Sequence, residues 1–216
     1  MKSDAKIKKD VSHELEWDPS IDAAAIGVEV QEGIVTLAGH VSRYSEKIAA
    51  EKATQRVAGI RGITIELDVV LPVGRERSDA DIVNAVEHVL AWNNAFSPSS
   101  IQVMVENGFV TLSGSTDWEY QRQAAEQAIR HLHGVKGVRN EIQLSLKIVP
   151  SDIKVKIEAA LQRRAHKEAA EITVRVEAGK ITLGGKVHTF AECQAAIDAA
   201  WSAEGVTDVV NQMIYA

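Results

Sequence analysis

The stretch Ile26-Gly-Val-Glu-Val-Gln-Glu-Gly-Ile-Val-Thr-Leu-Ala-Gly39 recurs as Ile101-Gln-Val-Met-Val-Glu-Asn-Gly-Phe-Val-Thr-Leu-Ser-Gly114 and again as Ile172-Thr-Val-Arg-Val-Glu-Ala-Gly-Lys-Ile-Thr-Leu-Gly-Gly185. Within each copy apolar residues alternate with polar ones, a Gly-containing pair interrupts the alternation, and the alternation resumes. This is the pattern of a β-hairpin, and Asn107-Gly108 is its strongest turn signal. The offsets are 75 and then 71 residues, and they hold without gaps to the end of each copy, where Ala49, Ala50, Ala53 and Gly59 also find identical partners. A repeat of this length sets the architecture before anything else does.

Working outward, each hairpin is preceded by an amphipathic segment. Ile7, Val11 and Leu15 are spaced i, i+4, i+8, and Ile82, Val86, Leu90 and Ile153, Ile157, Leu161 match them. That spacing is the apolar stripe of a helix, with Ser3, Ser78 and Ser151 placed as N-caps. A second helix is expected from about Arg43 to Ala58 and at the equivalent positions. Ser42 and Asp117 are its expected caps in the first two copies, and Thr189-Phe-Ala-Glu192 forms a capping box in the third. Its inner face is Ala-rich, which lets a helix lie close to a sheet, and Gly59, Gly134 and Gly205 stand where a helix ends. A last strand runs through Ile63–Leu67 and its equivalents.

The fold class is therefore α+β: three tandem αββαβ domains, each a small three-stranded mixed sheet packed by two helices. The expected boundaries are 1–72, a linker at 73–77, 78–149 and 150–216. A right-handed crossover makes the third strand parallel to the second, and the spacing leaves it beside either hairpin strand. Both helices are expected on one face of the sheet, with the open face as the place where units dock. The short Val149-Pro150 junction makes the second and third units the closer-coupled pair. Units of this size bury only about 60% of their unfolded surface, so each leans on its neighbours.

Composition bounds the function. The 216 residues are 45% hydrophobic and 25% charged, with 24 Lys and Arg against 30 Asp and Glu, a net charge of −6. No unit is basic: residues 1–72 carry 9 basic and 12 acidic side chains, residues 78–150 carry 5 and 8, and residues 151–216 carry 8 and 9. That balance and an aromatic content of 5% argue against nucleic acid as a partner. No run approaches the roughly 18 apolar residues of a transmembrane helix, and the start of the chain lacks the apolar core of a signal peptide. A cytoplasmic address is expected from the chain as written, or a periplasmic one if an export signal has been removed.

The combined pattern Ile-x-Val-x-Val-x-x-Gly-x-Val-Thr-Leu-x-Gly, the Ala-rich helix, the Gly-Val pairs Gly134-Val135 and Gly205-Val206, and the Val-x-Asn at Val138–Asn140 and Val209–Asn211 resemble the BON domain. That family is named for bacterial osmotically inducible and nodulation proteins. The first unit departs by carrying Ile65 in place of the Asn. The resemblance implies a non-enzymatic module that binds phospholipid or another envelope component under osmotic stress, with no cofactor and no catalytic residues. The family-shared glycine corresponds to Gly39, Gly114 and Gly185; read from the residues alone, a glycine near a strand end marks a bulge or close backbone approach.

The residues themselves point the same way. No His-Glu-x-x-His, Cys and His cluster or Gly-x-Ser-x-Gly is present, so neither metal nor enzyme is expected. His131 and His133, two apart near a helix end, are expected to diverge, and Cys193 to be a plain thiol. For a peripheral membrane partner the candidate residues are Lys156, Arg163, Arg164 and Lys167, a basic face on the first helix of the third unit. Trp17 and Trp92, matched just after the first helix of units one and two, add indoles suited to an interface. The alternative is a protein partner, held by repeated domain surfaces in a tandem scaffold.

Overall fold

The computed structural model describes residues 2–72, 74, 77–92, 100–145, 152–164 and 172–215; the side chains of Gln162 and Arg164 are outside that description. The chain divides into two compact units, residues 1–143 and residues 144–216. The first holds two repeats and the second holds one.

The first repeat comprises α1 (Asp4–Trp17), β1 (Ile26–Gln31), β2 (Ile34–Val41), α2 (Tyr44–Gln55) and β3 (Gly62–Val69). The second comprises α3 (Asp79–Trp92), β4 (Ile101–Glu106), β5 (Phe109–Thr116), α4 (Glu119–Ile129) and β6 (Gly137–Leu144). The third comprises α5 (Ile153–Arg164), β7 (Ile172–Glu177), β8 (Lys180–Val187), α6 (Phe190–Trp201) and β9 (Asp208–Tyr215). Each repeat is αββαβ. The strand orders are β1-β2-β3, β4-β5-β6 and β7-β8-β9. β2 pairs antiparallel with β1 and parallel with β3, and β8 does the same with β7 and β9. The second hairpin strand is thus central, which resolves the placement that spacing left open.

The inward row of the first sheet is Val35, Leu37 and Val41 on β2, all buried, flanked by Ile26 on β1 and Leu67 on β3. Opposite them lie Ile7, Val11 and Leu15 of α1 and Ala50 and Ala53 of α2, also buried. The second repeat assembles the same way, with Ile82, Val86, Leu90, Ala125 and Ile129 from its helices against Val110, Leu112 and Ile142. Both helices therefore cover one face of each sheet, because only one of the two alternating rows is apolar. The other row, for example Glu29, Thr36 and Thr64 across the first sheet, is not in the core.

Each hairpin turns through two successive positive φ angles: Glu32 at 49° and Gly33 at 77°, Asn107 at 53° and Gly108 at 84°, Ala178 at 47° and Gly179 at 87°. These are mirror-image two-residue turns, whose twist matches that of the flanking strands. In the first two repeats a carboxylate from the first turn of the preceding helix grips the turn. Asp4 accepts from the N–H groups of Glu32 and Gly33 at 2.8 and 3.0 Å. Asp79 accepts from Asn107 and Gly108 at 2.8 and 2.9 Å. The same position of the third repeat is Pro150 in the sequence register. Among the described residues no carboxylate holds the Ala178-Gly179 turn. Asp79→Ala is expected to lower the stability of the chain by about 2 kcal/mol, since two hydrogen bonds to an ion are lost, with Asp79→Asn intermediate. An unchanged urea midpoint in Asp79→Ala would remove the clasp from the account.

Several local expectations need correction. Ser3 and Ser78 do cap, with hydroxyls accepting from Lys6 N–H and Asp81 N–H, but Ser151 lies outside the described residues. The second helices of the first two repeats begin one residue later than expected. Their caps are Arg43 and Trp118 rather than Ser42 and Asp117. In all three copies the side chain of the third helical residue reaches back. Glu46 accepts from Ser42 N–H, Gln121 from Asp117 N–H, and Glu192 from His188 N–H. The amide tied down belongs to the residue ahead of the cap, which fixes the entering chain one residue before the helix begins. Thr189 caps the third helix as expected, accepting from Glu192 N–H at 3.1 Å. α2 stops at Gln55, short of Gly59, and the chain makes a further turn before that glycine at φ 95°.

The docking expectations are also revised. Repeats one and two, not two and three, share a compact unit. A contact between them runs through Tyr44, at the start of α2, which packs against the hydrophobic core of the second repeat. The contact is on the helix side rather than across open sheet faces.

Candidate functional site

The sequence-predicted residues fall in three places. On α5, Ile157 and Leu161 are buried and Lys156 and Arg163, seven residues apart, are exposed. Lys156 is paired with Asp152 at 3.0 Å, one turn earlier, which tempers the charge of that face. Of Arg164 only the backbone is described, and Lys167 lies outside the described residues.

Trp17 and Trp92 end α1 and α3 and are 85% and 77% exposed. They cover neither core. The Trp92 indole N–H donates to His88 Nε2 at 3.2 Å, and the two rings stack obliquely at 5.9 Å, which ties that exposed indole to its own helix.

Gly39, Gly114 and Gly185 adopt φ of 131°, 121° and 106°. A Cβ at Gly39 would collide with the carbonyl oxygen of Ala25, and one at Gly114 with that of Ser100. The chain entering the hairpin passes directly over the glycine, so its side-chain direction is filled by backbone.

The Asn of the Val-x-Asn motif is a fastener between the second helix and third strand. Asn140 Nδ2 donates to the Arg122 carbonyl at 2.9 Å, and Asn211 Nδ2 contacts Cys193 Sγ at 3.2 Å. In both, the Oδ1 accepts from the N–H two residues on. The first repeat, which has Ile65, replaces the fastener by Lys47, whose Nζ donates to the Leu67 carbonyl at 2.7 Å. Cys193 is buried and free. Tyr215 beside it is held well above the ordinary phenol range, first by burial and then by the Cys193 thiol.

Sequence reasoning passed over one feature. A cleft of about 710 Å³ lies where the first repeat meets the second. Arg43 and Lys52 line it from the first repeat, and Arg130 and His131 from the second, with Ser45 on its wall. Two acidic residues also line it. Glu46 is engaged on both oxygens, by Asp22 N–H at 2.8 Å and by Ser42 N–H and Oγ at 2.9 and 3.0 Å, and Asp22 Oδ1 accepts from Ala24 N–H. His131 and His133, expected to diverge, both line a small hollow beside the cleft. Among the described residues no three His, Cys, Asp or Glu side chains gather as metal ligands.

Comparison with known proteins agrees with the fold. Osmotically-inducible protein Y of Escherichia coli (strain K12) is 25% identical over 144 residues, covering 65% of this chain and 72% of that protein. The 21 kDa hemolysin of Actinobacillus pleuropneumoniae is 29% identical over 141 residues, covering 62% and 71%. A structural protein of the type III secretion system of Chlamydia trachomatis aligns over 98% of this chain and 92% of its own at 15% identity, with a TM-score of 0.28, too loose a superposition to argue from. The BON domain family model matches residues 3–70, 78–145 and 151–216. With the same model matched three times and the same αββαβ unit built three times, the chain belongs to the BON domain family.

Proposed function

We propose that this chain is a non-enzymatic tandem binding protein that engages phospholipid surfaces peripherally as part of an osmotic or envelope stress response. The observation that carries the reading is the pair of indoles at matched positions, Trp17 and Trp92, left 85% and 77% exposed. An exposed indole is suited to the boundary between headgroups and acyl chains, where its ring is apolar and its N–H is wet. Lys156, Arg163, Arg164 and Lys167 add attraction to anionic headgroups, about 1 kcal/mol per charge near the surface. Engagement is peripheral, because among the described residues no helix is long and apolar enough to cross a membrane. The stress setting rests on the similarity to an osmotically-inducible relative.

The test is co-sedimentation of the full chain with vesicles of phosphatidylglycerol and phosphatidylcholine at rising salt. Exchanging Trp17 and Trp92 together for Ser is expected to weaken sedimentation about tenfold, while stability moves by less than about 0.5 kcal/mol, as for exposed positions generally. Absence of sedimentation at every composition would overturn the lipid reading. It would favour the second one, a protein scaffold, for which the exposed Met104 and Phe109 on the second repeat are the apolar surface on offer.

A further inference from the structure

The three cations of the inter-repeat cleft occupy positions that the other repeats fill differently. In the repeat register Arg43 aligns with Trp118 and Thr189, Lys52 with Gln127 and Asp198, and Arg130 with Gln55 and Trp201. The alanines of the second helix and the turn glycines, which uphold the αββαβ fold, recur in every copy. These cations recur in none, and they come together on the cleft where two repeats meet.

Their electrostatic state points the same way. Arg43 and Lys52 are exposed to the cleft and make no ion pair among the described residues. Arg130 is half-buried. Its Nη2 stands 4.0 Å from Glu126, and its Nε is buried with no partner among the described residues. The two carboxylates that line the cleft with them, Asp22 and Glu46, are engaged with backbone amides. In a chain of net charge −6, a cleft lined by three cations against two amide-engaged carboxylates keeps a local positive excess that favours an anion. The volume suits a small ligand, and guanidinium groups match the tetrahedral oxygens of phosphate.

We infer that this cleft binds a phosphate-bearing anion, with Arg43 and Lys52 on one wall and Arg130 on the other clasping its oxygens and the Ser45 hydroxyl available as a further contact. A glycerophospholipid headgroup and a free phosphate ester offer the same chemistry. The site goes beyond the membrane reading above and uses none of its residues, so the two can fail separately.

Isothermal titration of the full chain with glycerol phosphate and with inorganic phosphate tests it, beside the vesicle assay. The double variant Arg43→Gln, Lys52→Gln changes exposed side chains only, and it is expected to weaken glycerol phosphate binding at least about tenfold. Arg130→Gln should do the same, and its fold is checked by circular dichroism. Lys156→Gln with Arg163→Gln should leave the titration unchanged. Binding in solution with vesicle recruitment unaffected by the double variant identifies a free ester as the ligand. Loss of both identifies the headgroup. No heat from either phosphate compound together with vesicle binding that ignores Arg43 and Lys52 overturns the cleft site and leaves the indole surface standing. Binding that the double variant and Arg130→Gln do not weaken overturns it as well.

Discussion

Gly39→Ala is expected to cost on the order of 3 kcal/mol, a strained backbone and a steric collision acting together. The backbone term comes from φ of 131°, a region that L side chains rarely enter. The collision is with the carbonyl oxygen of Ala25, which is main chain and has no rotamer to escape into. A repeat of this size has roughly 3–10 kcal/mol of stability in total, at about 0.05–0.15 kcal/mol per residue, so the first repeat of the variant is marginal. Hydrogen exchange on the intact chain should show protection lost in β1, β2 and β3 while the third repeat keeps its own. Gly27→Ala is the control. A Cβ there meets only the Ala38 carbonyl at 3.4 Å, an ordinary contact, and should be nearly silent. If Gly39→Ala keeps its stability and instead loses a ligand, the glycine is a binding position and the backbone account is wrong.

The second large effect concerns Tyr44. Truncation to Ala removes the side chain that packs on the second repeat's core, a change worth about 2–3 kcal/mol for a partly buried aromatic. The consequence is a change in cooperativity as well as in midpoint. Residues 1–143 of the parent chain are expected to unfold as one body and those of Tyr44→Ala as two, which calorimetry resolves as a split transition. A single shifted transition would mean that other contacts couple the repeats. Tyr44 also carries a pH signature. Burial, and then the charge of Glu126, raise its phenol above the ordinary value. The neutral form is therefore the one that stabilises the fold; that contribution is whole below the unfolded value of about 10 and is lost as pH rises through the raised one. Tyr44→Phe keeps the ring and lacks this alkaline loss, so the difference between the two titrations isolates it.

The repeats were legible in sequence because burial imposes periodicity: Val35, Leu37 and Val41 must face one way, and the same spacing recurs at Val110 and Leu112 and at Ile181, Leu183 and Val187. The central place of β2 was not legible, since alternation reports which face is buried and says nothing about which neighbour accepts the hydrogen bonds. Tyr44 was passed over because its partner lies in another repeat. The Asp4 and Asp79 clasps had a signal, an acid just after the capping serine at a fixed distance from the turn, but the shifted Ser151-Asp152 of the third copy disguised it. The cleft cations were hidden for the opposite reason. A search for what the copies share discards the positions where they differ, and Arg43, Lys52 and Arg130 are such positions.

The fastener between second helix and third strand bears on how three such similar copies avoid exchanging parts. The correct closure of β2 on β3 spans about 20 residues, whereas pairing β2 with the β6 strand of the next copy spans about 95. Chain entropy separates these by only ~1.4 kcal/mol. Strand mispairing between copies is therefore resisted chiefly by chemistry. Lys47 reaching a strand carbonyl, Asn140 reaching a helix carbonyl and Asn211 meeting a thiol are three different locks between the second helix and the third strand. A strand that strays into a neighbouring repeat brings the wrong key: Asn211 finds no thiol above β2 or β5, and Ile65 leaves Cys193 without its amide.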